Sequence, residues 1–468
     1  MRLLNLMAVP LFVLGAFISP LEAQEPTLSA ETRASIDKAV AHILTRSGAP
    51  SASVALVRDG RIAYVHAYGS ARLDPPAAAT PAMRYSIGSI SKQFTSSAIL
   101  LLAEEGKLSL DDRLVRWFPE LTRASDVTIR ELLSMTSGYQ DFWPQDYVMP
   151  MMLEPVAAQD ILNGWARKPL DFEPGTKYQY SNTNYVIAGL IVEKVSGMPL
   201  LDFLQKRIFG PLQMTTVANT DLAPLGSEDA SRYLRYALGP LRPAPKEGKG
   251  WMFAAGELAM TARDLALWDI SIIDQKVLQP ASYRQLETEV PLANGVGSHY
   301  GLGVSVGSVD GRRLISHGGE VSGFTAKNDV YPDDRSAVVV LTNLDATSAS
   351  EQIATKIGTL LFAATDGSAQ AALDQARKIF EGLQHRRIER QLFTSNANAY
   401  FTDQAVGDFA SSLGPLGVPQ EFTQQAQSLR GGMILRRFRL RFAKNTLRIT
   451  TFTMPDGKLE QYQIAAVE

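Results

Sequence analysis

Ser89-Ile90-Ser91-Lys92 stands between Met83-Arg84-Tyr85-Ser86-Ile87-Gly88 and the run Gln93-Phe94-Thr95-Ser96-Ser97-Ala98-Ile99-Leu100-Leu101-Leu102. The run reads as a helix that Glu104-Glu105-Gly106 ends. Residues three apart on a helix share a face, so this spacing sets the Ser89 hydroxyl beside the Lys92 amine. A serine needs a neighbouring base near neutral pH. A lysine serves as one when burial or nearby cations lower its pKa. The helix N-terminus adds N–H groups suited to an oxyanion. Spacing alone does not select the site, because Ser35-Ile36-Asp37-Lys38 repeats it on what reads as a surface helix.

Two other segments supply matching chemistry. Tyr180-Ser181-Asn182 lies just before an apolar helix, Val186 to Ser196. A tyrosine beside Lys92 shuttles a proton to a leaving group, and an asparagine amide contacts both a substrate carbonyl and the lysine. The plainer reading is a helix entry with Asn182 as N-cap. His317-Gly318-Gly319 follows a strand, Arg313 to Ser316, and its glycines admit a close ligand. The N–H of Glu320 then joins that of Ser89 as a second oxyanion donor. His299-Tyr300-Gly301, Lys246-Glu247-Gly248 and Lys356-Ile357-Gly358 fit the same loose pattern. His317 is preferred because Gly319, Gly323 and Phe324 continue a Gly-punctuated strand pair.

The wider chain frames these segments. It has 468 residues, 45% hydrophobic and 20% charged, with net charge −2. That is the profile of a globular protein without general attraction to nucleic acid or anionic lipid. The absence of cysteine excludes disulfides and thiol chemistry, and five scattered histidines give no zinc pattern. No cofactor is expected. Met1-Arg2, an apolar run from Leu3 to Leu21 and a small residue at Ala23 read as a secretory signal peptide, residues 1–23. A soluble, periplasmic mature protein without a stable membrane anchor follows; its oligomeric state stays open.

Strands at 51–58 and 61–69 flank Asp59-Gly60, a hairpin signal. A helical region follows Ser89, with a capping box from Thr128 to Glu131. Strand signals return from Gly303 to Thr342, then a helix from Ser348 to Phe362. The expected fold is α+β, an α/β sandwich: one antiparallel sheet built from both ends of a domain, flanked by helices, with an all-helical lobe inserted. That domain spans 24–365. A linker at 363–372 leads to a small C-terminal α+β domain, 366–468, with a helix from Gln370 to Arg387 and three strands after Gly432. Arg437, Arg439 and Arg441 alternate with Phe438, Leu440 and Phe442, the pattern of a strand with one solvated face. The cleft is expected to be shaped by segments 142–150 and 222–249.

In this order the motifs resemble those of the serine β-lactamase and penicillin-binding family, on its class C side. That group includes β-lactamases, D-alanyl-D-alanine carboxypeptidases, D-aminopeptidases and carboxylesterases. The S-x-x-K, Y-x-N and K/H-x-G motifs match Ser89 to Lys92, Tyr180 to Asn182 and His317 to Gly319. Residues 132–138, 174–176 and 256–265 also look familial, and the resemblance covers about residues 30 to 365. It implies a Ser89 acyl-enzyme, with Lys92 and Tyr180 catalytic and Asn182, His317, Gly319 and Glu320 binding substrate. The substrate is expected to be a small ester, a β-lactam or a D-amino-acid peptide. His317 replaces the lysine of typical class C β-lactamases. A neutral histidine pairs poorly with a β-lactam carboxylate, which turns the expectation toward esterase or peptidase activity. A non-catalytic penicillin-binding sensor is the reading from another class. An α/β-hydrolase is set aside because its G-x-S-x-G match, Gly303 to Gly307, lacks the strand–turn–helix context.

Overall fold

The computed structural model describes residues 28–145, 147–363 and 367–467. The expected signal peptide and the 365/366 boundary lie outside the described residues. Helix α1 (Ala30–Ser47) is capped by the Ser29 hydroxyl and closed by Gly48 at φ 75°. Ser35 and Lys38 lie on this helix, with Lys38 exposed. Strands β1 (Ser51–Arg58) and β2 (Arg61–Leu73) form the hairpin over Asp59-Gly60. Helices α2 (Ser91–Glu104), α3 (Ile129–Leu133), α4 (Asn182–Ser196) and α5 (Ala262–Asp274) follow, among shorter turns. The chain then returns through β3 (Ser305–Val309), β4 (Arg312–Val321), β5 (Phe324–Tyr331) and β6 (Ser336–Thr342) to α6 (Ala349–Ala363).

The two ends of the domain meet where β1 pairs antiparallel with β6, Ala52 opposite Thr342 and Val57 opposite Ala337. The sheet order is a short Pro76–Ala78 edge strand, then β2, β1, β6, β5, β4 and β3. Period-two alternation explains the layers. Ala55, Val57, Val339 and Leu341 enter the core shared with α2. Val54, Leu56, Val338 and Val340 pack instead on Ile36 and Val40 of α1 and Ile353 and Ile357 of α6. Both faces of the central strands are therefore covered.

Helix α2 is buried without interruption from Ser91 to Leu102. A helix enclosed on every side belongs in the middle of a core, and Phe94 there meets Phe209 and Trp268 at ring distances of 5.1 and 4.8 Å. Its buried hydroxyls are satisfied: Thr95 donates to the Ala254 carbonyl at 2.7 Å and Ser97 to that of Gln93 at 2.8 Å. The Thr128–Glu131 capping box opens α3.

A separate core gathers helices α7 (Gly367–Gln384) and α8 (Asp403–Leu413) with a four-stranded antiparallel sheet. Its strands are β7 (Glu421–Arg430), β8 (Met433–Arg441), β9 (Thr446–Thr453) and β10 (Leu459–Val467). Three strands are expected there; the fourth, β7, is Glu421-Phe-Thr-Gln-Gln-Ala-Gln-Ser-Leu-Arg430, an edge strand too polar to announce itself. Helix α7 begins inside the expected linker. On β8, Arg437, Arg439 and Arg441 are exposed while Phe438 and Leu440 are buried, but Arg436 is also buried and donates to Gln427 at 3.0 Å.

Candidate active site

Ser89 sits in a tight turn, Gly88–Ile90, that runs directly into α2. Lys92, one turn on, is fully buried. Its Nζ lies 3.0 Å from Ser89 Oγ, 2.8 Å from Asn182 Oδ1 and 2.8 Å from the Ala255 carbonyl. Burial lowers its pKa from 10.5 to about 7, against a smaller upward pull from Asp141. The amine thus titrates near neutrality.

Tyr180 enters from the segment that leads into α4. Lys92 Nζ is 4.9 Å from the centre of its ring. The phenol oxygen is buried and makes no hydrogen bond among the described residues. Burial raises its pKa well above the ordinary value, opposed by the Ser89 hydroxyl and reinforced by Tyr185, Asp141 and Tyr178. It therefore stands as a neutral phenol. Asn182 is the first residue of α4; the cap position falls to Ser181, which makes no side-chain cap bond. The amide of Asn182 spans Lys92 on one side and Asp141 on the other, with Nδ2 3.2 and 3.3 Å from the two Asp141 oxygens.

The third wall is β4. His317 is buried, its ring 6.3 Å from that of Tyr180. Its Nδ1 faces the Gly318 carbonyl at 2.5 Å, and its Nε2 lies 2.8 Å from the Tyr300 hydroxyl. A carbonyl only accepts, so Nδ1 carries the proton and Nε2 accepts from Tyr300. Burial, with the positive charges of Lys92 and Lys327, pushes the His317 pKa down to about 3 against the pull of the Gly318 bond. Both ring nitrogens are committed and the ring is uncharged. Neither ring nitrogen is left to donate to a substrate carboxylate.

Two glycines set how closely β4 approaches the serine turn. A Cβ on Gly319 would fall 1.9 Å from the Ile87 carbonyl oxygen. Gly88 has φ 51°, and a Cβ there would lie 2.7 Å from the Glu320 backbone nitrogen. The Glu320 nitrogen consequently lies beside the turn carrying Ser89, where a second oxyanion donor is expected. The Glu320 carboxylate turns to the Ala346 N–H at 2.8 Å.

Ser89, Asp141, Tyr180, Asn182, Tyr300, His317, Gly319 and Glu320 line one cleft of about 760 Å³, with Lys92 buried beneath Ser89. Trp143, Pro144, Gln145, Tyr147 and Val148 form part of its wall, as the aromatic 142–150 segment leads one to expect. Among the described residues none from 222 to 249 lines it; that segment acts from behind, Glu247 accepting the N–H of cleft residue Ser322 at 2.7 Å. The look-alike motifs lie elsewhere in role: His299 is 86% exposed beside Glu289, and Lys246 pairs with Asp221 at 2.7 Å. Sequence reasoning passed over Asp141, Tyr300 and the Ala255 carbonyl. Tyr300 had a signal, lying inside the discounted His299-Tyr300-Gly301. Asp141 adjoins the aromatic segment without a motif of its own.

This fold and constellation are those of a β-lactamase-type serine hydrolase architecture. The chain belongs to the Beta-lactamase family, whose sequence model matches residues 36–360, a family of serine hydrolases. It is 29% identical over 302 residues to the D-aminopeptidase of Brucella anthropi, covering 63% of this chain and 56% of that one. The D-aminopeptidase of Brucella canis is 30% identical over 298 residues, 63% and 57% of the two chains. The chain thus spans little more than half the length of these curated relatives. The D-amino acid amidase from Ochrobactrum anthropi SV3, complexed with D-phenylalanine, superposes with a TM-score of 0.65 at 24% identity, over 72% of this chain and 99% of that one. The octameric penicillin-binding protein homologue from Pyrococcus abyssi gives 0.63 at 21% identity, over 93% and 96%.

The contact at Gly319 yields a test. Gly319→Ala forces β4 away from Ile87, with an expected loss of about 1–3 kcal/mol in stability and a larger proportional loss in acylation of Ser89. Chemical denaturation and fluorophosphonate labelling measure the two, and an alanine variant matching the parent in both contradicts the packing argument.

Proposed function

We propose that the chain hydrolyses amides and esters of D-amino acids by acyl transfer through Ser89, favouring substrates with a free amine and no carboxylate on the leaving group. The observation that carries this reading is Lys92: a buried amine near neutrality, in hydrogen-bond contact with a serine at the floor of a cleft. The D-aminopeptidase and D-amino acid amidase relatives support the substrate class.

In the proposed mechanism Ser89 gives its proton to Lys92 as Oγ attacks the carbonyl carbon. The oxyanion rests between the N–H groups of Ser89 and Glu320. Tyr180 donates its phenol proton to the departing nitrogen or oxygen and is reprotonated from Lys92. Water then attacks the acyl-enzyme by the reverse relay, restoring Ser89.

Charge around the cleft supports the leaving-group preference. Asp141, Glu320, Asp345 and Glu351 line it, whereas its one lining lysine, Lys327, lies 3.5 Å from Asp329. His317 is neutral. An anionic β-lactam or a free C-terminal carboxylate meets an acidic field, and an ammonium meets a favourable one. The apolar run at residues 3–21 supports export to the periplasm.

Ser89→Ala removes hydrolysis of D-phenylalanine amide and a nitrophenyl ester by at least about 10³-fold, together with fluorophosphonate labelling. In the parent, kcat/KM climbs with pH through about 7 as Lys92 loses its proton; a rate independent of pH from 5 to 9 contradicts Lys92 as base. His317→Lys raises the rate of penicillin acylation relative to D-phenylalanine amide, read by mass spectrometry of the acyl-enzyme; an unchanged ratio removes the charge argument. For export, the mass of the secreted protein is that of a chain starting at Gln24, and an intact Met1 would rule cleavage out.

A further inference from the structure

Asp141 is half-buried in the cleft lining and belongs to none of the three motifs. Its carboxylate accepts the Asn182 backbone N–H at 2.9 Å and the Trp143 N–H at 3.2 Å, in addition to the Asn182 side-chain amide. Next to it, Thr183 donates to the Gln140 carbonyl at 2.7 Å, so this loop is tied to the first turn of α4 at two successive positions.

The consequence is directional. Carboxylate oxygens accept and do not donate, so Asp141 leaves the Asn182 amide one orientation: Nδ2 toward Asp141, Oδ1 toward Lys92. The Ala255 carbonyl is also acceptor-only. A neutral lysine has two N–H bonds and one lone pair. Asn182 Oδ1 and Ala255 O take the two N–H bonds, so the lone pair falls on the remaining neighbour, Ser89 Oγ. With the Asn182 amide reversed, an N–H₂ would face Lys92 and compete for that lone pair. The serine proton would then have no acceptor.

We infer that Asp141 is a positioning residue, fixing the Asn182 amide so that the Lys92 lone pair is aimed at Ser89. The inference rests on the acyl-transfer reading for its kinetic part only. Lys92 is faced by Ser89 in the turn that leads into its helix, by the rings of Tyr180 and Tyr185 at 4.9 and 5.5 Å and by His317 on β4. The phenols are neutral because burial raises their pKa, and His317 is neutral too. Asp141 is the anion acting on Lys92. Burial raises its own pKa, while the N–H groups of Trp143 and Asn182 and the Lys92 charge hold it down.

The test follows the Lys92 Cε resonance by NMR in isotopically labelled lysine protein, beside the pH profile of kcat/KM for D-phenylalanine amide. In Asp141→Asn, both the Lys92 titration and the acid limb of the profile move to lower pH by on the order of one pH unit. Plateau kcat/KM falls on the order of tenfold or more, because the new amide no longer enforces the Asn182 orientation. Asp141→Ser, whose hydroxyl still accepts the Asn182 N–H, shifts both in the same direction and serves if the first variant does not fold. A purely structural Asp141 would alter melting temperature and leave the Lys92 titration where it was; that result overturns the inference. A shifted Lys92 titration in a protein that hydrolyses nothing leaves the Asp141 assignment standing and refutes the hydrolase reading instead.

Discussion

The site depends on the cost of burying an amine. An ammonium removed from water without a contacting counter-ion is expensive, and Lys92 is enclosed completely. Moving it from 10.5 to about 7 represents roughly 5 kcal/mol of lost preference for the charged form. Total burial with no charge nearby would make the amine a weak base with little drive to take a proton. Asp141, one amide away, opposes part of the shift. The balance puts Lys92 where a base operates well near neutral pH.

That balance requires the architecture. A lysine is enclosed this way only on a helix buried on all sides, and α2 is buried because the sheet closes through β1 and β6 while the inserted lobe covers the opposite flank. The pairing of β1 with β6 joins residues almost 300 positions apart in the chain, Ala52 with Thr342. It carries β4 past the serine turn at a spacing that only Gly88 and Gly319 permit. Chain closure and active-site assembly are therefore one packing event, and glycine at these positions serves the contact between backbones.

Much of this was legible from sequence because motifs of fixed spacing become fixed geometry. Ser89 and Lys92 share a helix turn, and Tyr180 and Asn182 flank a helix start, so local conformation alone places each pair. The hairpin at Asp59-Gly60 and the capping box at Thr128 were readable for the same reason. Asp141 was not, since its role arises from a loop meeting a helix 41 residues away, and a lone Asp ahead of an aromatic segment has no periodicity. Tyr300 was visible but misfiled: its neighbour His299 drew attention to a motif that points into solvent, while the tyrosine beside it reached His317. Strand β7 escaped because its glutamines carry a weak strand preference that pairing with β8 overrides.

The remaining step concerns which group takes the serine proton. Lys92 and Tyr180 are both within reach of Ser89, and the family pattern alone does not rank them. Their surroundings do. The same desolvation acts on both and always disfavours charge, so it lowers the lysine and raises the tyrosine. A phenolate at Tyr180 would have to form in a buried position, where the cost of desolvation outweighs the help of the Ser89 hydroxyl. A neutral amine at Lys92 already exists in part at pH 7, and its two N–H bonds have acceptors waiting. One environment thus assigns opposite roles to its two titratable groups: the amine receives the serine proton, and the phenol, kept protonated by burial, holds the proton that the leaving group needs.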